Sequence, residues 1–140
     1  MNYLLDTNVI SELVAKQPNP KVVDWIDALD PTAVHLSVVT IGEIRKGIEK
    51  LPPSARKDAL MAWLEHDLLV RFDGQIASIT TNVMLRWGTL VGQLELQGRI
   101  IAAIDSLIAA IALEGDFTLA TRNEQDFYGT GVRMINPWED

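Results

Sequence analysis

Apolar residues follow two alternating rhythms along this chain. Short runs such as "NYLL" (2–5), "AVHLSVV" (33–39), "FTLAT" (117–121) and "VRMIN" (132–136) predict strands. Between them, apolar positions recur every three or four residues and predict helices. The first helix spans 8–16. The second spans 19–29, with Pro20 near its start and Val22, Val23, Ile26 and Leu29 on one face. A third starts at Thr40, stacks Ile41, Ile44, Ile48 and Leu51, and stops at Pro52 and Pro53. "SARKDALMAWLEHDLL" (54–69) continues as a helix, and "LLVRF" reads as a short strand. A long helix over 78–97 carries Met84, Trp87, Leu90, Val91 and Leu94, a stripe at core spacing. "AAIDSLIAAIALEG" forms the last helix, closed by Gly115 as its C-terminal cap. Strands alternating with helices predict an α/β fold with a mainly parallel sheet of four to five strands, covered on both faces.

In such sheets, ligands occupy the crevice beyond the carboxyl ends of the strands. Asp6 follows the first strand, and Arg122 and Asn123 follow the strand at 117–121. These two segments meet at one edge if their strands are neighbours.

Composition narrows the chemistry. The 140 residues are 48% hydrophobic and 22% charged, with neither a repeat nor a linker, so one domain over 1–140 is expected. There is no cysteine, which removes disulfides, thiol catalysis and cysteine-ligated zinc. His35 and His66 are not spaced as metal ligands. The net charge of −7 argues against a broad basic footprint for nucleic acid, but not against an enzyme that meets phosphates through a cation. Asp6 interrupts the short apolar start, so no signal peptide is expected, and no apolar run approaches the ~20 residues of a membrane span. The expected compartment is the cytosol.

Three carboxylates stand in apolar company. Asp6 ends a buried strand and either caps the following helix or faces the crevice. Glu43 lies beside the stripe of Ile41, Ile44 and Ile48, either as the third residue of a capping box begun by Thr40 or as a ligand. Asp105 sits among Ile, Leu and Ala, where a desolvated carboxylate costs several kcal/mol unless paired or metal-bound. Its plainer reading is a helix N-terminus shared with Ser106. If all three converge, mutual repulsion calls for a cation, and an all-oxygen donor set suits Mg²⁺ or Mn²⁺. The matching chemistry is metal-assisted hydrolysis of a phosphodiester. Thr121, Arg122, Asn123 and Asp126 form a fourth polar cluster, either at the same edge or in an ordinary turn.

Four blocks, "LLDTNVISEL", "LSVVTIGEIRKGIEKL", "AAIDSLIAAIALEGDFTLATRNEQDF" and "INPW", resemble a PIN-domain toxin of the VapC and FitB kind. The likeness keeps order and spacing over nearly the whole chain. It implies a three-layer α/β/α sandwich and a Mg²⁺-dependent endoribonuclease. It also implies a type II toxin–antitoxin module: a homodimer, a VapB- or FitA-like antitoxin in a larger assembly, and DNA contact only through that antitoxin. By position, the metal-binding carboxylates are Asp6, Glu43 and Asp105. Many relatives carry an aspartate where this chain has Asn123, and Asp126 is a candidate to replace it.

The mechanism this favours is attack by metal-activated water on RNA. Asp6 and Asp105 hold the ion, and Glu43 binds it or takes the water's proton. Thr7 and Thr121 orient carboxylates or waters, and Arg122 is a candidate phosphate contact. Arg45 and Lys46 either flank the RNA path or are simply solvated. The apolar stripe of the long helix serves the core, with part of it available to a partner. One rival is a phosphotransferase with Asp6 as nucleophile, which needs a second aspartate where Asn8 stands. The other is a non-catalytic PIN-like domain that binds RNA or protein.

Overall fold

The computed structural model describes residues 1–139. Strand β1 (Tyr3–Leu5) leads through Asp6 into α1 (Thr7–Leu13), and α2 (Pro20–Asp27) follows. Next come β2 (Val34–Ser37), α3 (Val38–Glu49) and α4 (Ala55–Trp63). A π-helical turn (Leu64–Leu68) joins α4 to α5 (Leu69–Arg71), and β3 is Ile76–Ala77. The chain closes with α6 (Thr81–Leu96), α7 (Ala103–Glu114), β4 (Thr118–Ala120) and β5 (Arg133–Ile135).

The five strands are all parallel in the order β3-β2-β1-β4-β5. Period-two alternation splits β1 between two cores. Leu4 packs with Val83, Leu90, Leu94, Ile108 and Ile111 of α6 and α7. Leu5 packs on the opposite face with Val9, Ile10, Val22, Ile26, Ile44 and Ile48 of α1, α2 and α3. Helices therefore cover both faces, which is the expected three-layer sandwich.

Several boundaries differ from the expectation. The helix expected over 8–16 ends at Leu13, with Val14 already out of helical geometry. "LLVRF" is helical, because Leu64, Leu68 and Phe72 recur every four residues and all are buried. The strand in this region is instead the two-residue β3, whose Ile76 pairs with Leu36. Helix α3 starts two residues before Thr40, and its N-cap is Ser37, whose Oγ accepts from the Thr40 backbone N at 3.1 Å. Thr40 is thus buried in the first turn, the Thr40–Glu43 capping box does not form, and Glu43 stands in the second turn. Val38 and Val39, both β-branched, make this helix start look like strand.

Gly115 ends α7 with φ −87°, which any residue adopts, and the left-handed position falls on Asp116 with φ 55°. Gly115 is required for a different reason. The Phe117 ring lies where a Cβ at position 115 would project.

In the long helix, Leu90 and Leu94 are buried and Trp87 packs against the same core, while Met84 is exposed. No helix among the described residues is long and apolar enough to cross a membrane.

Candidate active site

Parallel pairing of β1 with β4 sets Leu5 opposite Ala120, so the residues that follow, Asp6 and Thr121, emerge side by side. Asp6 is only 5% exposed and caps α1 through Oδ1, which accepts from the Thr7 backbone N at 2.8 Å. Its Oδ2 accepts from the Thr121 hydroxyl at 2.8 Å and from the Asn8 side-chain amide at 3.2 Å. Burial pushes the Asp6 carboxyl up from its ordinary value. Thr121, Thr7 and Asn8 pull the other way as donors, and nearby Glu43 adds to the rise. Asp6 is therefore cap and crevice residue at once.

Glu43 approaches from α3. Its Oε1 accepts from the Thr7 hydroxyl at 2.5 Å. Asp105 lies in the first turn of α7, because that helix begins at Ala103 rather than 102. The N-terminal placement is thus correct, yet the N-cap is Ala102, which has no polar side chain to cap with, and Asp105 stands in the first turn. Ser106 beside it donates to the Ala103 carbonyl at 2.6 Å and accepts from Trp87 Nε1 at 2.8 Å. The Asp105 carboxyl is pushed up to about 6, first by burial and then by the charges of Asp6, Asp126 and Glu43. One electrostatic neighbourhood therefore includes all four acids. Among the described residues, no ion pair neutralises any of them.

The polar cluster after β4 divides. Thr121 is fully buried, and its hydroxyl also accepts from the Asn123 backbone N at 3.1 Å. Asn123 itself is exposed and precedes a 3-10 turn over Glu124–Phe127. Asp126, on that turn, is exposed but near enough to raise Asp105. Arg122 is exposed, with its guanidinium 5.2 Å from the Trp138 ring centroid. Arg45 instead pairs with Glu49 on the outer face of α3 at 2.7 Å, and Lys46 is exposed.

Sequence reasoning missed Asn8, which uses both ends of its amide here. Its nitrogen donates to Asp6 and, at 3.3 Å, to Thr121, while its oxygen accepts from the Arg122 backbone N at 3.2 Å. Its position two residues after Asp6 is a signal only when the β4 segment is known to lie alongside. Trp138 was also missed as a partner of Arg122. Its Nε1 donates to Glu12 Oε1 at 3.2 Å. Beside Thr7 and Glu43, an apolar groove opens between α1, α3 and α4, lined by Val14, Ile44, Ile48, Leu51, Leu60 and Trp63.

A parallel five-stranded sandwich with acids gathered at the carboxyl ends of its central strands defines a class that comparison makes specific. The PIN domain family model matches residues 3–132, and the chain belongs to that family. It is 40% identical to the plasmid stability protein StbB of Pseudomonas syringae pv. tomato, covering 97% of this chain and 98% of that one. The toxin FitB of Neisseria gonorrhoeae is 39% identical, covering 98% and 99%. A VapC ribonuclease of Sinorhizobium fredii is 35% identical, covering 97% of each chain. The structure of FitAB bound to a DNA fragment superposes with a TM-score of 0.91 at 38% identity, covering 97% and 95%.

Proposed function

We propose that this chain is a metal-dependent endoribonuclease and the toxin of a type II toxin–antitoxin module, working as one domain in the cytoplasm. The carrying observation is the acid cluster at the sheet edge. Asp6 and Asp105, drawn from opposite ends of the chain, both hold their protons more tightly than usual, with Glu43 beside them. Among the described residues, no three such side chains already stand in ligand geometry. The donor set still fits a hard cation. It is all oxygen, it repels itself, and among the described residues no hydrogen bond holds the Asp105 carboxylate away from an ion.

Asp6 and Asp105 would hold Mg²⁺, or Mn²⁺ in its place, with Glu43 as a third ligand. When bound, such an ion supplies Lewis-acid polarisation of the phosphodiester and lowers the pKa of water. Thr121 and Asn8 fix the Asp6 carboxylate, and Thr7 fixes Glu43 Oε1. The other oxygen, Oε2, is left to bind or to accept the proton of the attacking water. Arg122, anchored on Trp138, would contact an RNA phosphate. Asn123 contributes no charge, so Asp126 is the acid available to a second ion.

The relatives' names support the toxin reading. The groove beside Glu43 suits an apolar antitoxin segment, and exposed Met84 and Leu85 on α6 suit a second copy of the chain. DNA would be met only through the antitoxin. Calorimetric titration with Mg²⁺ and Mn²⁺, followed by RNA cleavage, tests the proposal. Wild-type protein should bind the ion and cut, and Asp105→Asn should do neither. Wild-type protein that binds RNA without cutting it would instead support a non-catalytic PIN-like domain.

A further inference from the structure

Behind Glu43 lies a row of hydroxyls that continues from the Ser37 cap of α3 across to α1, further than capping alone requires. Thr7 Oγ1 is 2.5 Å from Glu43 Oε1 and 3.2 Å from Thr40 Oγ1, and Thr40 Oγ1 is 3.3 Å from Ser37 Oγ. Thr40 and Ser37 are wholly buried. Ser37 and Thr40 meet locally at the cap of α3, whereas Thr7 is brought to Thr40 and Glu43 from α1 by tertiary packing.

Counting protons fixes the direction. A carboxylate only accepts, and a hydroxyl has one proton to give. Thr7 gives its proton to Glu43, so the contact between Thr7 and Thr40 is made with the Thr40 proton. Thr40 must then accept from Ser37. Ser37 in turn accepts the Thr40 backbone N–H at 3.1 Å, which completes the set. Every bond points toward Glu43, and aligned hydrogen bonds polarise one another in a low-dielectric interior.

We propose that Thr40 and Ser37 are positioning residues for RNA cleavage, acting through Thr7 to fix one oxygen of Glu43 and leave the other facing the acid cluster. The inference rests on the nuclease reading above. Partners behind a ligating group typically contribute about 10–100-fold in metal affinity or activity.

The test is Thr40→Val, which keeps the shape, the backbone N–H and the Ser37 cap but removes the hydroxyl, set beside Thr40→Ser. For Thr40→Val we expect kcat on RNA to fall at least about 10-fold and Mg²⁺ affinity to fall with it, with KM for RNA little changed. Thr40→Ser should restore most of both. Equal kcat and Mg²⁺ affinity in Thr40→Val and wild type would overturn the inference, as would equal loss in the valine and serine variants.

A second readout needs no variant and covers a valine protein that fails to fold. In wild-type protein, the Thr7 and Thr40 hydroxyl protons should exchange slowly enough to appear by NMR and should shift on adding Mg²⁺. Fast exchange of both would also overturn it. A wild-type protein that neither binds Mg²⁺ nor cuts RNA removes the nuclease reading itself, and this inference with it.

Discussion

Replacing Asp6 with asparagine separates two roles that share one side chain. Asparagine caps a helix about as well as aspartate, so the bond to the Thr7 backbone is kept. The new amide group would face the Asn8 amide and the Thr121 hydroxyl, a loss of about 1 kcal/mol, while burial and repulsion of a charge are relieved. In chelator the melting temperature should therefore stay within a few degrees of wild type, whereas RNA cleavage in Mg²⁺ falls by orders of magnitude. Wild-type cleavage by Asp6→Asn would leave Asp6 only a cap. Asp105 predicts a pH dependence. Its pKa rises from 3.8 unfolded to about 6 folded, so the folded state binds the proton more tightly. The stabilising contribution is present below about pH 4 and is lost as pH rises through about 6. Asp6 shifts in the same direction. Without metal, the melting temperature should climb on acidification from about pH 7 to about pH 5, and Asp105→Asn should flatten most of that slope. Asp126→Asn should lower the Asp105 midpoint, read by carboxyl NMR, because Asp126 is one of the charges that raise it. At this scale the acids stood out in the sequence because charge is conspicuous among apolar neighbours. Ser37 did not, Asn8 entered only as a missing aspartate and Thr40 only as a cap, since their contacts depend on what lies across the fold.

Helix α7 ends under an aromatic ring, and that contact decides what position 115 tolerates. Gly115→Ala would push a methyl group into Phe117, whose ring also tilts against His35 with centroids 5.0 Å apart. Overpacking of this kind costs about 1–3 kcal/mol, so urea unfolding should show a clear loss. Adding Phe117→Leu should recover part of it. Full stability of Gly115→Ala alone would mean the ring moves aside freely. The same region shows why elements were legible and their edges less so. The three-to-four-residue period of α7 was plain, but its glycine matched a left-handed cap that Asp116 adopts instead. At the start of α3, two valines carried the strand pattern past the true boundary at Ser37. A two-residue strand such as β3 leaves almost no period to read.

The groove between α1, α3 and α4 lets neutralisation and catalysis be tested apart. A Cβ at Gly47 would meet no atom within 4 Å, so Gly47→Phe can start a side chain into the groove that Gly47 lines, and helix propensity favours the change. The variant should keep its melting temperature and its RNA cleavage but lose inhibition by the antitoxin. Inhibition at the wild-type level would place the antitoxin elsewhere. The order of the sheet carries a further consequence. Strand β1 is made first yet lies in the middle, and its neighbour on one side arrives only with β4. Asp6 and the Thr121 hydroxyl that holds it are 115 positions apart in sequence. A ribosome adding about 5–20 residues per second must therefore translate past position 121 before those groups can meet. Translation products that stop short of β4 lack both the strand beside β1 and the hydroxyl that holds Asp6, so they are expected not to cleave RNA. The growing polypeptide is thus expected to spare the message that encodes it at least until β4 has joined β1.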